Sequence, residues 1–399
     1  MNDLDPAAAE RAFRLIVTGG GTGGHTYPAL TAVRTLWARL AARGQPLDVL
    51  WVGAAGSLES RVAASEGIAF SAVATGKIRR AKNPVKMLTP ENVRDMTNVP
   101  RGVLQARELV SDFRPDVVLA TGGYVAVPVG VAAWLCGRPL VVHEQTVRLG
   151  LANRVLARAA ARVAVSSDST VPLLPESARS SAVVTGNPVR PEVRTGVAEK
   201  AVHALGFHGH DPALPTVYVT GGAQGAVQIN ETVGAILPWL LGHANVVHQC
   251  GEANVAALRE RAASLPADIA GRYHVTGFVG GELPHVLALA DVVISRSGAG
   301  TIAELTALGK ASVLIPLASS AGNEQAHNAR HLQETGAAVA LVDEVTPDTL
   351  RAAVTPLLTD PARREAMADR ARAHGRPDAA ERLVDLLLSV TGEANGPVG

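Results

Sequence analysis

Short apolar runs alternate with longer amphipathic stretches along most of the chain, and the alternation opens twice in the same manner. The run Phe13–Thr18 enters Gly19-Gly20-Gly21-Thr22-Gly23-Gly24-His25, and a helical spacing opens at Pro28. Later, Thr216–Thr220 enters Gly221-Gly222-Ala223-Gln224-Gly225-Ala226, again followed by helical spacing. Further β-rich runs at 49–52, 117–120, 140–142 and 163–165 follow the first opening; runs at 246–248, 273–275, 292–295 and 312–315 follow the second. Strands alternating with helices imply parallel, doubly wound α/β sheets. Two such series predict two Rossmann-like domains facing each other across a cleft.

Two prolines in Gly186-Asn187-Pro188-Val189-Arg190-Pro191 forbid a continuing helix, and the polar Ala/Gly-rich stretch to Pro215 reads as a connector. The expected division is a flexible tail at 1–12, a first domain at 13–186 and a second at 187–375. Ala380, Leu383, Val384, Leu387 and Leu388 follow the i, i+3, i+4, i+7 rule, so 376–390 should hold an amphipathic helix. Such a helix needs a surface, and packing back on the first domain would supply one. Residues 391–399 read as a second flexible tail.

Composition narrows the class. At 399 residues the chain exceeds one ordinary core, and 47% hydrophobic residues with 39 glycines suit a globular α/β protein with many strand-to-helix turns. A net charge of +1 gives no global footprint for nucleic acid. The two cysteines, Cys136 and Cys250, lack metal-type spacing and fit a reducing compartment. Met1 to Glu10 has neither the basic start nor the apolar core of a secretory signal. The best candidate for a membrane span, 124–142, is broken by Pro128, Gly137, Arg138 and Pro139, whereas a span needs about 20 apolar residues. A soluble or peripheral protein is expected.

The first glycine loop fits G-x-G-x-x-G through Gly19, Gly21 and Gly24, a pattern that lets backbone amides approach a diphosphate at a helix N-terminus. An adenosine ribose would call for an acid at the end of the next strand. That strand ends in Val52-Gly53, with Glu59 well past it, which disfavours a nicotinamide cofactor. Neither loop continues into Gly-Lys-Ser/Thr, which argues against a triphosphatase. What remains is a diphosphate-cradling loop with His25 at its exit, or a tight turn that holds nothing. Imidazole titrates near neutrality, so His25 is the best candidate general base; a plain capping or backbone-bonding role is the alternative.

In the second half, the run 292–295 leads into Arg296-Ser297-Gly298-Ala299-Gly300-Thr301-Ile302-Ala303-Glu304. Small residues there present amides at a helix start, with a carboxylate able to accept ribose hydroxyls; equally, Thr301-x-x-Glu304 spells a capping box. Taken alone, the pattern favours the cap. The cluster 322–328 follows a strand end, where Gln325 is placed to meet a sugar hydroxyl or to solvate a helix start. Asp3-Leu4-Asp5 and His208-Gly209-His210 lie in tail and connector and read as solvated, so no metal and no cofactor are expected. Between 76 and 94, Lys77, Arg79, Arg80, Lys82, Lys86 and Arg94 interleave with Val85, Met87 and Leu88. That mixture suits contact with anionic lipid, or a flexible solvated loop.

Gly20-Gly21-Thr22-Gly23-Gly24-His25, Gly122-Gly123-Tyr124, His143-Glu144-Gln145, Gly186-Asn187-Pro188-Val189-Arg190, the 221–226 loop and Arg296-Ser297-Gly298-Ala299 occur in this order. As an ordered set spanning nearly the whole chain, they resemble the MurG family, which adds N-acetylglucosamine to undecaprenyl-diphosphoryl-muramyl-pentapeptide in peptidoglycan synthesis. The resemblance implies a GT-B fold, inverting metal-independent transfer and peripheral attachment to the cytoplasmic face of the cell membrane. It makes the first domain the acceptor and membrane domain, with Thr22, Gly23, Gly24 and His25 receiving the acceptor. It makes the second the UDP-sugar domain. There Arg190, Ala223, Val279, Ala299, Gly300, Thr301, Ile302, Ala303, Glu304 and Gln325 hold UDP-N-acetylglucosamine, Glu304 at the ribose and Gln325 at the sugar. The segment 76–80 is similar to the family's membrane-proximal loop. Two departures stand out: Thr146 occupies a donor-contact position where the family commonly has Asn, and Ala223 one where many members have Ser. Competing readings are a UDP-N-acetylglucosamine 2-epimerase-like isomerase, another GT-B transferase with a lipid acceptor, and a non-catalytic scaffold of the same fold.

Overall fold

A computed structural model describes residues 11–76 and 90–391, with side chains left aside at 90–97 and 321. Lys77, Arg79, Arg80, Lys82, Val85, Met87 and Leu88, together with most of both terminal tails, lie outside the described residues. The chain divides into two compact units, Met1–Pro188 with Pro377–Gly399, and Val189–Arg376.

The first unit is built on β1 (Phe13–Thr18), β2 (Leu47–Gly53), β3 (Ala69–Ala72), β4 (Val117–Ala120), β5 (Leu140–Glu144), β6 (Arg162–Val165) and β7 (Ala182–Val184). They pair in the order β3-β2-β1-β4-β5-β6-β7, parallel throughout. The central strands are buried along their length, as expected for a parallel sheet covered on both faces. The order reverses between β1 and β4, which opens a crevice at their carboxyl ends, the usual ligand position of an open α/β sheet. The loops that follow these two strands meet there. A Cβ on Gly123 would lie 2.4 Å from the carbonyl oxygen of Gly20, so only glycine permits this approach.

Helix α1 runs Gly23–Ala41, starting five residues before the Pro28 opening expected from spacing. Pro28 therefore lies inside the helix. Gly23 and Gly24 are poor helix formers, but the His25 and Thr26 amides donate to Thr22 O and close the first turn there. Helix α2 spans Leu58–Ser65 and helix α3 Leu151–Leu156. The last helix, α7, spans Ala379–Ser389. It lays Leu383, Val384, Leu387 and Leu388 into the same core as Leu36 and Leu40 of α1 and Trp51 of β2. Arg39 of α1 and Asp385 of α7 form an ion pair at its edge.

The second unit repeats the plan with β8 (Thr216–Thr220), β9 (Asn245–Gln249), β10 (Tyr273–Thr276), β11 (Val292–Ser295), β12 (Ala311–Leu314) and β13 (Val339–Ala340). Their order is β10-β9-β8-β11-β12-β13, again all parallel, reversing between β8 and β11. Helices α4 (Val227–Leu241), α5 (Ala299–Leu308) and α6 (Glu324–Glu334) follow β8, β11 and β12. Among the described residues no helix is long and apolar enough to cross a membrane.

Candidate active site

The glycine loop after β1 is held from below by a carboxylate. Glu59 of α2 is fully buried; its Oε2 accepts from the Gly21 amide at 3.1 Å and its Oε1 from the Ala54 amide at 3.3 Å. A Cβ on Gly20 would sit 2.2 Å from the Glu59 carboxyl carbon, which explains the glycine. The Gly20 amide donates to Gly122 O at 3.3 Å. Two amides of the G-x-G-x-x-G loop are thus spent within the protein. Those left for an anion are at the start of α1, where Gly23 and Gly24 have no acceptor among the described residues and the helix dipole favours negative charge. Thr22, the N-cap, uses its carbonyl to accept from the His25 and Thr26 amides and the Thr26 hydroxyl, and its own side chain is exposed.

His25 stands in the first turn of α1, half-buried. Its Nδ1 lies 2.9 Å from Gln145 Oε1, its carbonyl accepts from the Thr121 hydroxyl at 2.9 Å, and its Nε2 has no partner among the described residues. Gln145, the residue after β5, is buried, with its amide nitrogen 2.8 Å from Thr121 O, 2.9 Å from His143 O and 3.0 Å from His143 Nδ1. His143 is fully buried and bonds Gly186 O through Nε2 at 2.9 Å; burial lowers its pKa to about 4, so it is neutral at physiological pH.

Between them in sequence, Glu144 organises the following loop. It accepts from the Thr146 amide and hydroxyl, the Gly150 amide and the Asn153 side chain. Thr146 is buried and its hydroxyl lies between Glu144 and Arg148 O, so its polar group is engaged inside its own loop.

In the second unit a cavity of about 470 Å³ opens at the β8–β11 reversal, lined by Thr220, Gly222, Arg296, Gly298, Thr301 and Gln325 among others. Helix α5 begins at the N-cap Gly298, so the amides of Ala299, Gly300 and Thr301 open its first turn with no acceptor among the described residues. Ile302 already donates to Gly298 O, and Ile302 and Ala303 turn their side chains to the core. The capping box favoured from Thr301-x-x-Glu304 does not form. The helix starts three residues earlier than that pattern assumes, which puts Glu304 in the second turn with a different partner. Its Oε1 accepts from Arg190 Nε at 2.8 Å and Nη2 at 2.7 Å, and its Oε2 accepts nothing among the described residues. Burial raises the Glu304 pKa, and the Arg190 charge opposes that rise.

Gln325 accepts the Leu317 amide on Oε1 at 3.0 Å, and its Nε2, beside the cavity, has no partner among the described residues. Arg296 donates to Gln228 Oε1, Ile315 O and Pro316 O, tying the ends of β12 and α4 to the loop before α5. Ala223 is exposed at the tip of the loop after β8. Val279 is buried, its amide held by Gln249 Oε1 at 2.9 Å; the same Gln249 bonds Thr220 Oγ1 and Gly222 O and so shapes that loop. Glu59, Gln145, Gln249 and Arg296 are the supporting groups that spacing did not single out. Among the described residues no cluster of three or more His, Cys, Asp or Glu is arranged to hold a metal ion.

The glycosyltransferase family 28 N-terminal domain matches residues 15–165, and the family 28 C-terminal domain matches residues 216–383. A Desulforudis audaxviator protein named UDP-N-acetylglucosamine–N-acetylmuramyl-(pentapeptide) pyrophosphoryl-undecaprenol N-acetylglucosamine transferase is 37% identical over 387 residues, covering 96% of this chain and 99% of its own. The protein of that name from Listeria monocytogenes is 35% identical, covering 95% of this chain and 99% of its own. The crystal structure of Acinetobacter baumannii MurG matches with a TM-score of 0.73 at 28% identity, over 94% of this chain and 99% of that one. The chain belongs to the MurG family. Its two doubly wound units are the GT-B-type fold of that family. The UDP-N-acetylglucosamine 2-epimerase from Neisseria meningitidis, at 15% identity and a TM-score of 0.65, shares with this MurG-family chain the fold alone.

Proposed function

We propose that this chain is the glycosyltransferase that moves N-acetylglucosamine from UDP-N-acetylglucosamine to the muramyl 4-hydroxyl of undecaprenyl-diphosphoryl-muramyl-pentapeptide. The observation that carries it is the full-length relationship to proteins bearing that transferase name, 35–37% identical along almost the whole of both chains.

The residues suggest how the work divides. The acceptor diphosphate meets the Gly23 and Gly24 amides with Thr22 beside them. The acceptor 4-hydroxyl attacks the anomeric carbon; its O–H bond breaks, the proton goes to His25 Nε2, and the bond from that carbon to the diphosphate oxygen breaks. One inversion turns an α-linked donor into a β-1,4 product. In the second unit, Glu304 Oε2 accepts from the ribose, Gln325 Nε2 donates to the sugar, and the Ala299, Gly300 and Thr301 amides with Arg190 receive the leaving UDP charge. Ala223, Val279, Ile302 and Ala303 contribute backbone and shape, and Thr146 acts by holding its loop.

An acceptor carried on a polyprenyl lipid calls for a peripheral position at the cytoplasmic face of the membrane, with anionic lipid as the contact for the basic segment. Co-sedimentation with phosphatidylglycerol vesicles tests that assignment, and no salt-dependent binding would overturn it. The activity is tested with radiolabelled UDP-N-acetylglucosamine and a polyprenyl-diphosphoryl-muramyl acceptor. Label should enter the lipid product; C2 epimerisation of the donor alone, with no transfer, would refute the proposal. His25→Gln retaining full activity would remove His25 as the base.

A further inference from the structure

The side chain of Gln145 occupies a position in which its amide has one acceptable orientation. Its nitrogen faces two backbone carbonyl oxygens, Thr121 O and His143 O, and the ring nitrogen His143 Nδ1. Turned over, its oxygen would oppose two carbonyl oxygens. The amide oxygen must therefore face His25, and an amide oxygen only accepts. A contact of 2.9 Å to His25 Nδ1 then requires a proton on Nδ1.

We propose that Gln145, backed by His143, is a positioning residue that locks His25 in the Nδ1–H tautomer and so presents a bare Nε2 to the attacking hydroxyl. The proposal rests on His25 acting as the base of the transfer. The hydrogen bonds run in one direction: His25 Nδ1–H to Gln145 Oε1, Gln145 Nε2–H to His143 Nδ1, and His143 Nε2–H to Gly186 O. The far end is fixed because a buried, neutral His143 that gives its one ring proton to a carbonyl must accept at the other nitrogen. The near end is held as well. The His25 carbonyl accepts from Thr121, and a Cβ on Gly122 would lie 3.0 Å from His25 Nδ1 and Cε1.

An amide orients the ring without adding the negative charge that a carboxylate partner would. The neighbouring ionisable groups do not replace that charge. The Glu144 carboxylate is turned to Thr146, Gly150 and Asn153, and Glu59 to the Gly21 and Ala54 amides. Tyr27 and Tyr124 pack along the glycine loop against Gly23 and Gly21, and His143 lies behind Gln145. The ring is thereby oriented by a neutral partner, with Nε2 left as its acceptor.

The test uses the full-length protein labelled with ring-¹⁵N histidine, with the His25 signals assigned by their loss in His25→Gln. Long-range ¹⁵N–¹H correlation of the wild type should show Nδ1 as the protonated nitrogen and Nε2 as the bare one. Gln145→Met keeps the length and loses the acceptor. It should shift His25 toward the Nε2–H form and lower kcat roughly 10- to 100-fold, with KM for UDP-N-acetylglucosamine unchanged. Gln145→Glu should move the acidic limb of the kcat/KM profile to higher pH, because a carboxylate favours the imidazolium. A wild-type His25 protonated at Nε2, or a Gln145→Met protein with unchanged tautomer and kcat, would overturn the proposal. The wild-type spectrum decides the matter even if Gln145→Met fails to fold. Activity of His25→Gln bears on the base itself: full activity there, alongside an Nδ1–H wild type, would sink the mechanism and leave the tautomer lock standing.

Discussion

Replacing Glu59 with Gln keeps the side chain's size and removes one of its two acceptors. In the wild type both oxygens of the fully buried Glu59 are filled by part-buried backbone N–H groups, from Gly21 and Ala54. The variant must face one of those N–H groups with an NH₂, leaving a part-buried donor opposed by another donor. That costs about 2 kcal/mol, within the 1–3 kcal/mol typical of an abandoned buried donor. The loss is local to the glycine loop, so hydrogen exchange is the fitting assay. Amide exchange in peptides covering 19–24 or 52–56 should accelerate about thirtyfold at 2 kcal/mol, while peptides from β8 and β11 keep their rates. The efficiency of transfer to the lipid acceptor should fall with the donor KM unchanged, because the distorted loop belongs to the unit proposed to take the acceptor. Unchanged protection at both segments, or equal loss throughout the second unit, would refute the idea that Glu59 is the support of this loop.

Three further outcomes follow from the same structure. Glu304→Gln removes the charge that Arg190 pairs with and that a ribose hydroxyl would meet; calorimetric titration with UDP should show affinity down roughly 10- to 100-fold, as expected for a charged hydrogen bond, and unchanged affinity would exclude Glu304 from the donor site. Leu387→Ala, at a fully buried position between α7 and α1, should cost about 3 kcal/mol in urea unfolding, and a cost under 1 kcal/mol would mean α7 is dispensable to that core. Burial lowers both His143 and His248 to about 4, from 6.5. The unfolded chain therefore binds more protons between pH 6.5 and 4, and stability falls as pH drops through that window, by roughly 2 kcal/mol per histidine from pH 7 to 5. Urea midpoints of His248→Asn should show a shallower decline than wild type; identical slopes would contradict the assignment.

Much of the scaffold is legible because a parallel strand covered on both faces must be apolar along its length. Thus 13–18, 117–120 and 216–220 stand out, whereas the short edge strands β3, β7 and β13 carry partly exposed positions and leave no such mark. The glycine loops are legible for a related reason: a backbone pressed against another backbone tolerates no Cβ. Spacing misplaces the starts of α1 and α5 because glycines at 23, 24, 298 and 300 suppress the helical signal. The apparent cap at Thr301 failed with them. The supporting roles of Glu59 and Gln145 are not legible in spacing because they lie in contacts 38 and 120 residues away along the chain. Local spacing holds no information about a partner that distant.

The return of α7 to the first unit has a consequence during synthesis. Its apolar side chains complete the core around α1, yet the whole of Val189–Arg376 is translated between β7 and α7. At 5–20 residues per second that interval lasts roughly ten to forty seconds. Through it the face of α1 that α7 will cover has no native partner. A nascent first unit is therefore a natural client for chaperones, and a premature stop just before Ala379 should yield an aggregation-prone product even though both sheets are fully encoded.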